Sequence, residues 1–328
     1  MREDEISEEE LRELEEELER ELAQEREEVV GRKSSTSVTT RRSTSTATTV
    51  TAKPRRAAGG IYRVSTGVPE LDNALEGGVP KGSWVAITGE PGTGKSILCM
   101  HFAWAGLQAG DPVVYVTTEA EFRDVVRQAK QFGMDFEQYR IHDISAGEPS
   151  ETPQIVVIDI FGLLKIARQM SEASMDAEAV RKRRFAALDI QTLVAAIREA
   201  YRILGVLKSE KSKAPYKHVR LIIDSLSAFW ADKPAMARKY SYELKVATHR
   251  ENVTAYLVSQ YAMTTKSTFG FGLEHIADGV FHLWMDDVER AKEVRRYFII
   301  KKMRMTNHAR HAFRVEIEPD RGFRLLPI

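Results

Sequence analysis

Residues 84–96 read WVAITGEPGTGKS, and the fold turns on this stretch. Trp84 to Thr88 has the composition of a buried strand. It runs directly into Gly89, Glu90, Pro91, Gly92, Thr93, Gly94, Lys95 and Ser96, which satisfy the pattern G-x-x-x-x-G-K-[ST]. Gly92 and Gly94 allow the backbone to curl so that successive N–H groups point at phosphate oxygens, and the N-terminus of a following helix adds its dipole. In such a cradle Lys95 holds the β- and γ-phosphates and Ser96 holds magnesium. At ordinary glycine usage the pattern arises by chance in a chain of this length on the order of one time in a hundred. With a strand before it and a helix after it, the motif predicts a site for ATP and Mg2+.

Outward from the motif the pattern alternates. Lys95 to Ala109 reads as a helix closed by Gly110, Val113 to Thr118 as a strand, and Glu121 to about Phe132 as a helix stopped by Gly133. A long helix from Leu188 to Leu207 and strands at Leu221–Asp224 and Thr254–Ser259 follow. Alternation of this kind predicts an α/β fold with a twisted, mostly parallel sheet flanked by helices. Pro319, Asp320, Arg321 and Gly322 form a turn signal between the last two strands, which predicts an antiparallel C-terminal edge.

Residues 1–28 hold 15 acids and 4 bases. The spacing of Ser7 and Glu10 predicts a capping box, and Leu11, Leu14, Leu18 and Leu22 follow at helical spacing. This segment, residues 1–30, predicts an acidic amphipathic helix, either solvated or docked on a partner protein. Residues 31–60 carry Ser, Thr and seven bases with almost nothing to bury, the composition of a flexible linker. Residues 61–328 are then the one folded domain. Its near-neutral balance is weak support for a broad nucleic-acid surface. The single cysteine, Cys99, excludes an internal disulfide, and no Cys/His spacing points to zinc. No apolar run reaches about 18 residues and no signal peptide opens the chain, so membrane insertion is not expected and a reducing, cytoplasmic location is.

A triphosphate site also needs a carboxylate at the end of another strand to position magnesium. Two strands qualify by pattern, IVVID ending at Asp159 and LIID ending at Asp224, and pattern alone scarcely separates them. The stretch STGVPELDNALEGGVPKGSWVAITGEPGTGKS, residues 65–96, resembles the RecA superfamily, most closely its KaiC-like and archaeal RadA-paralogue branch. Gly67, Leu71, Asp72, Leu75, Gly77 and Gly78 match the family's lead-in, and the resemblance covers about residues 61–328. It implies a RecA-like P-loop NTPase core assembling as a homo-oligomer, a ring such as a hexamer or a filament, with ATP between subunits.

The resemblance also assigns residues. It favours Asp224 for magnesium and implies that Glu119, after VYVTT, activates the attacking water. Gln260, ending TAYLVSQ, falls where relatives sense the γ-phosphate. Lys302, Arg304, Thr306 and His308 match K-x-R-x-T-x-H, through which a neighbouring subunit reaches the nucleotide and neutralises charge on the transferred group. On an extended strand these four would point to one side. The family often has two adjacent glutamates where this chain reads Glu119, Ala120, Glu121, a departure that implies slow turnover.

The loop TTKSTFGFGLEH carries Lys266, Phe269 and Phe271, an ordinary mobile loop or a stacking platform for single-stranded DNA. Arg181 to Arg184 reads as a solvated basic helix face. No HExxH or GxSxG pattern occurs, which excludes those hydrolase classes. Two functions fit: an ATPase that serves as an accessory in DNA recombination or repair, or a nucleotide-gated regulatory scaffold that binds no DNA. The sequence lacks both the helix-hairpin-helix module of RadA and the second ATPase domain of KaiC.

Overall fold

The computed structural model describes residues 60–169, 188–206, 218–229, 236–260, 272–286 and 293–328. The acidic N-terminal segment, the linker up to residue 59, Arg181–Arg184, and Lys266, Phe269 and Phe271 lie outside the described residues.

The chain from residue 60 opens with a short strand β1 (Arg63–Val64), helix α1 (Pro69–Ala74) and strand β2 (Val79–Pro80), which pairs with β1. Then come β3 (Trp84–Gly89), α2 (Lys95–Ala109), β4 (Val113–Thr117), α3 (Phe122–Gln131), β5 (Ile141–Asp143), β6 (Ile155–Asp159) and α4 (Ile160–Gln169). After these stand α5 (Ile190–Ile203), β7 (Val219–Asp224), α6 (Ala237–Thr248), β8 (Val253–Gln260), a single turn α7 (Leu273–Ile276) and β9 (Gly279–Met285). The chain ends with β10 (Arg296–Met303), β11 (Phe313–Glu318) and β12 (Gly322–Pro327).

Ten strands form one sheet in the order β12-β11-β10-β9-β3-β8-β7-β4-β6-β5. From β9 to β5 all neighbours are parallel, and β10, β11 and β12 close the edge antiparallel. The central strands are apolar on both faces because helices cover both. On one face Val85, Ile87, Tyr115, Ile222 and Tyr256 pack with α1, α2 and α3. On the other, Trp84, Ala86, Val114, Val116, Leu221 and Leu257 pack with α5 and α6. Among the described residues no helix is long and apolar enough to cross a membrane.

Two features of the core bear on the site. Arg220, fully buried on β7, donates to the carbonyls of Ser65 (2.7 Å) and Phe102 (2.8 Å) and to Asp111 (3.2 Å), with its guanidinium 4.6 Å from the Phe102 ring centre. It thereby ties the lead-in, α2 and the Asp224 strand together. His101 on α2 accepts from the backbone N–H of Phe323 at 2.9 Å, which seats the β11–β12 hairpin against the helix.

The extended geometry expected for residues 302–308 stops at Met303. Arg304 and Met305 form a turn, with Met305 at φ +57°. The reason is local bonding: the N–H of Arg304 donates to Asp278 (2.9 Å), and Arg63 holds the Met305 carbonyl (3.1 Å) and the Thr306 hydroxyl (2.5 Å). Lys302, Arg304, Thr306 and His308 therefore do not share one strand face.

Candidate functional site

Gly89, Gly92 and Gly94 all have positive φ, at +146°, +79° and +102°, a region that side chains disfavour. At Gly89 a Cβ would also lie 2.0 Å from the carbonyl oxygen of Leu283. Thr93 closes the loop by donating its hydroxyl to the Glu90 carbonyl at 2.8 Å. Gly94 caps α2 and leans on Phe323 and Ile317 of the hairpin, so the loop is backed by the antiparallel edge. The Lys95 ammonium donates to the carbonyls of Gly89 (2.9 Å) and Glu90 (2.6 Å), folded over the loop. Burial lowers its pKa to about 8, against the raising influence of Asp224 and Glu119.

The crevice beyond the C-terminal ends of parallel strands is where open α/β sheets bind ligands. The order β3-β8-β7-β4 lines up there the P-loop, Gln260, Asp224 and Glu119. Burial raises the Asp224 carboxyl to about 6, opposed by the Ser96 side chain, which lowers it. Ser96 and Asp224 offer two hard oxygens, one anionic and both half-buried, the donor set that suits magnesium, which binds through few protein ligands and keeps its waters. Glu119 accepts from the Ser225 hydroxyl at 2.6 Å and from the Gln260 side-chain amide at 2.8 and 2.7 Å.

Asp159 lies farther out, on β6, with β8, β7 and β4 between it and the P-loop strand. Its carboxylate accepts from the backbone N–H groups of Phe122 (2.8 Å) and Gly162 (2.7 Å), tying α3 to α4.

Lys302 and Arg304 occupy the opposite end of the sheet. Lys302 donates to the Ala277 carbonyl at 2.7 Å and Arg304 pairs with Asp278 at 3.4 Å. Asp278 in turn accepts from the N–H of Trp84, the first residue of β3. The length of β3, about 16 Å at a strand's rise per residue, separates them from the P-loop of the same chain. His308 donates from Nδ1 to the adjacent Ala309 carbonyl at 2.8 Å.

Two residues at the site escape the sequence reading. Ser225 was legible in principle, since it follows Asp224 directly. Arg296 was not: it donates to the Gly92 carbonyl at 2.9 Å from 204 positions away.

With this geometry in place, similarity to known proteins narrows the family. The family model described as "ATPase: KaiC" matches residues 64–161 and 162–328. The chain belongs to the KaiC ATPase family. A UPF0273 protein of Methanopyrus kandleri is 34% identical over 271 residues, covering 81% of this chain and 93% of that protein. One from Thermotoga maritima is 31% identical over 271 residues, covering 81% and 97%. The crystal structure of a KaiC-like protein from Pyrococcus horikoshii superposes with a TM-score of 0.55 at 27% identity, covering 81% of this chain and all of that one. The KaiC-family assignment makes this a RecA-superfamily protein, with the nucleotide-binding RecA-like ATPase core and its mostly parallel sheet.

Proposed function

We propose that this KaiC-family chain binds ATP with Mg2+ at residues 89–96 and hydrolyses it slowly, at sites completed by a neighbouring copy. The observation that carries the reading is the convergence of Glu119, Asp224 and Gln260 on one sheet edge beside the P-loop strand. Lys95 leaves the two loop carbonyls to neutralise the β- and γ-phosphates, while loop N–H groups hold the remaining oxygens. Ser96 and Asp224 hold the magnesium ion, which supplies charge neutralisation on the phosphates. Glu119 orients the attacking water and takes its proton. Lys302 and Arg304, too far to serve their own P-loop, serve that of the next copy in a head-to-tail ring or filament.

Lys95→Ala tests the core of this reading: ATP binding, followed by equilibrium dialysis, is expected to fall at least about tenfold and turnover to vanish. Binding unchanged in that variant would defeat it. For the output of the cycle we favour an accessory role on single-stranded DNA, supported by the Lys266, Phe269 and Phe271 loop that follows Gln260 in sequence. Stimulation of turnover by single-stranded DNA, falling steeply with salt, is the expected result. No stimulation and no binding would instead favour the regulatory scaffold, with the acidic residues 1–30 as the segment that takes a protein partner.

A further inference from the structure

Glu119, Ser225 and Gln260 follow or end three adjacent strands, β4, β7 and β8, and their side chains meet at one carboxylate. Oε1 of Glu119 accepts from Ser225 Oγ at 2.6 Å and from Gln260 Nε2 at 2.8 Å, and Oε2 accepts from the same amide at 2.7 Å. Both oxygens are engaged by donors. A carboxylate bridged across both oxygens by one amide and bonded to a hydroxyl as well is a weaker base toward water, because each donor stabilises its ionised form.

The two donors are not equivalent. Ser225 is fully buried, and its backbone is locked to Thr118, which donates its hydroxyl to the Ser225 carbonyl (2.9 Å) and accepts from the Ser225 N–H (3.0 Å). That hydroxyl therefore has a fixed origin. Gln260 is partly exposed, and its backbone N–H is anchored to the Ser227 hydroxyl at 2.7 Å, which leaves the side chain as the mobile part. In register, Gln260 stands directly opposite Gly89, the first residue of the P-loop, and so lies between the phosphate cradle and Glu119. One amide can be delivered either to the carboxylate or to a phosphoryl oxygen. A terminal phosphoryl group, with more negative charge than a carboxylate, is the stronger acceptor.

We propose that Gln260 is a latch on Glu119 that only a nucleoside triphosphate releases, and that Ser225 is the positioning residue that keeps Glu119 aimed once the latch is open. This rests on the ATPase reading and adds to it a control: the base is held engaged until a third phosphate is present. ADP, lacking that phosphate, leaves the latch closed. Part of the interaction with the third phosphate is then spent on opening the latch, so that discrimination between triphosphate and diphosphate is weaker than the contacts alone would give.

The test is a double-mutant cycle on the ratio of dissociation constants for ADP and a non-hydrolysable ATP analogue, with magnesium, in the full chain. Glu119→Ala removes the latch but also a negative charge near the third phosphate. Gln260→Ala separates the two, because charge removal acts with or without the amide. With Gln260 present, Glu119→Ala is expected to raise preference for the triphosphate about tenfold; with Gln260→Ala, about threefold or less. Equal factors in the two backgrounds overturn the latch. Ser225→Ala is expected to lower kcat about tenfold while leaving the ADP dissociation constant within about twofold, a split that a merely structural serine would not produce. If that variant does not fold, the Glu119 and Gln260 cycle still decides the latch. Failure of the unaltered protein to bind either nucleotide defeats the ATPase reading instead, and is distinct from equal factors.

Discussion

At the scale of single residues, Gly106 and Arg220 show how little freedom surrounds the strand that ends at Asp224. A Cβ on Gly106 would lie 2.3 Å from Cδ and 2.5 Å from Nε of Arg220. Arg220 cannot yield, since its guanidinium is spent on two carbonyls, Asp111 and the Phe102 ring. Gly106→Ala is therefore expected to cost about 3 kcal/mol or more, part overpacking and part loss of a buried ion pair, read as a shift in the urea midpoint. Arg296 offers a milder case. Removing its bond to the Gly92 carbonyl loosens the loop without touching the core, so Arg296→Ala is expected to weaken ATP binding about three- to tenfold with the urea midpoint unchanged. The P-loop was legible from sequence because its chemistry is contained in eight consecutive residues. Ser225 and Glu119 meet across 106 positions and Arg220 and Phe102 across 118, and no local pattern carries such pairings.

At the scale of elements, the strand and helix sequence around the P-loop was readable because both faces of the sheet are covered. Continuous apolar runs such as VVYV, which follows Pro112, and LII, which closes on Asp224, read as strands buried on both faces. The segment after Met303 was not readable, since its turn is set by Asp278 and Arg63 from distant parts of the chain. The seating of the β11–β12 hairpin on α2 makes a prediction about pH. Nε2 of His101 must stay unprotonated to accept from the Phe323 N–H, and burial, opposed by a bond involving the Gly67 backbone, lowers its pKa from 6.5 to about 4. Between those values the unfolded chain binds a proton that the folded chain refuses, so stability is full above about pH 6.5 and falls as the pH drops toward about 4. At about 1.4 kcal/mol per pKa unit the loss approaches about 3 kcal/mol. His101→Gln keeps an acceptor for Phe323 without the titration. Its unfolding free energy is expected to fall less over the same window; an identical acid limb in both proteins would remove His101 as the cause. His282, lowered by burial to about 4, adds a decline of the same sign that both proteins share.

At the scale of the whole molecule, the placement of charge argues for assembly. The P-loop and its carboxylates stand at one end of the parallel strands, while Lys302 and Arg304 stand at the other beside Asp278. In the proposed head-to-tail array each copy would present its cations to the next copy's phosphates, and every interface would become one complete site. On that proposal a chain working alone would have half of each. Arg304→Ala is expected to bind ATP with nearly normal affinity and to lose hydrolysis, about 100-fold or more if it acts as an arginine finger does. Lys95→Ala is expected to be inactive for the other reason, an empty cradle. Neither variant turns over ATP by itself, yet a mixture contains interfaces where an intact P-loop from one faces an intact Arg304 from the other. Random assortment in equal amounts makes about a quarter of the interfaces complete in a head-to-tail ring, and turnover should recover to about that fraction of the unaltered protein once subunits are allowed to exchange. A mixture as inactive as its components, under conditions where exchange is verified by labelled subunits, would place the two residues outside one shared site.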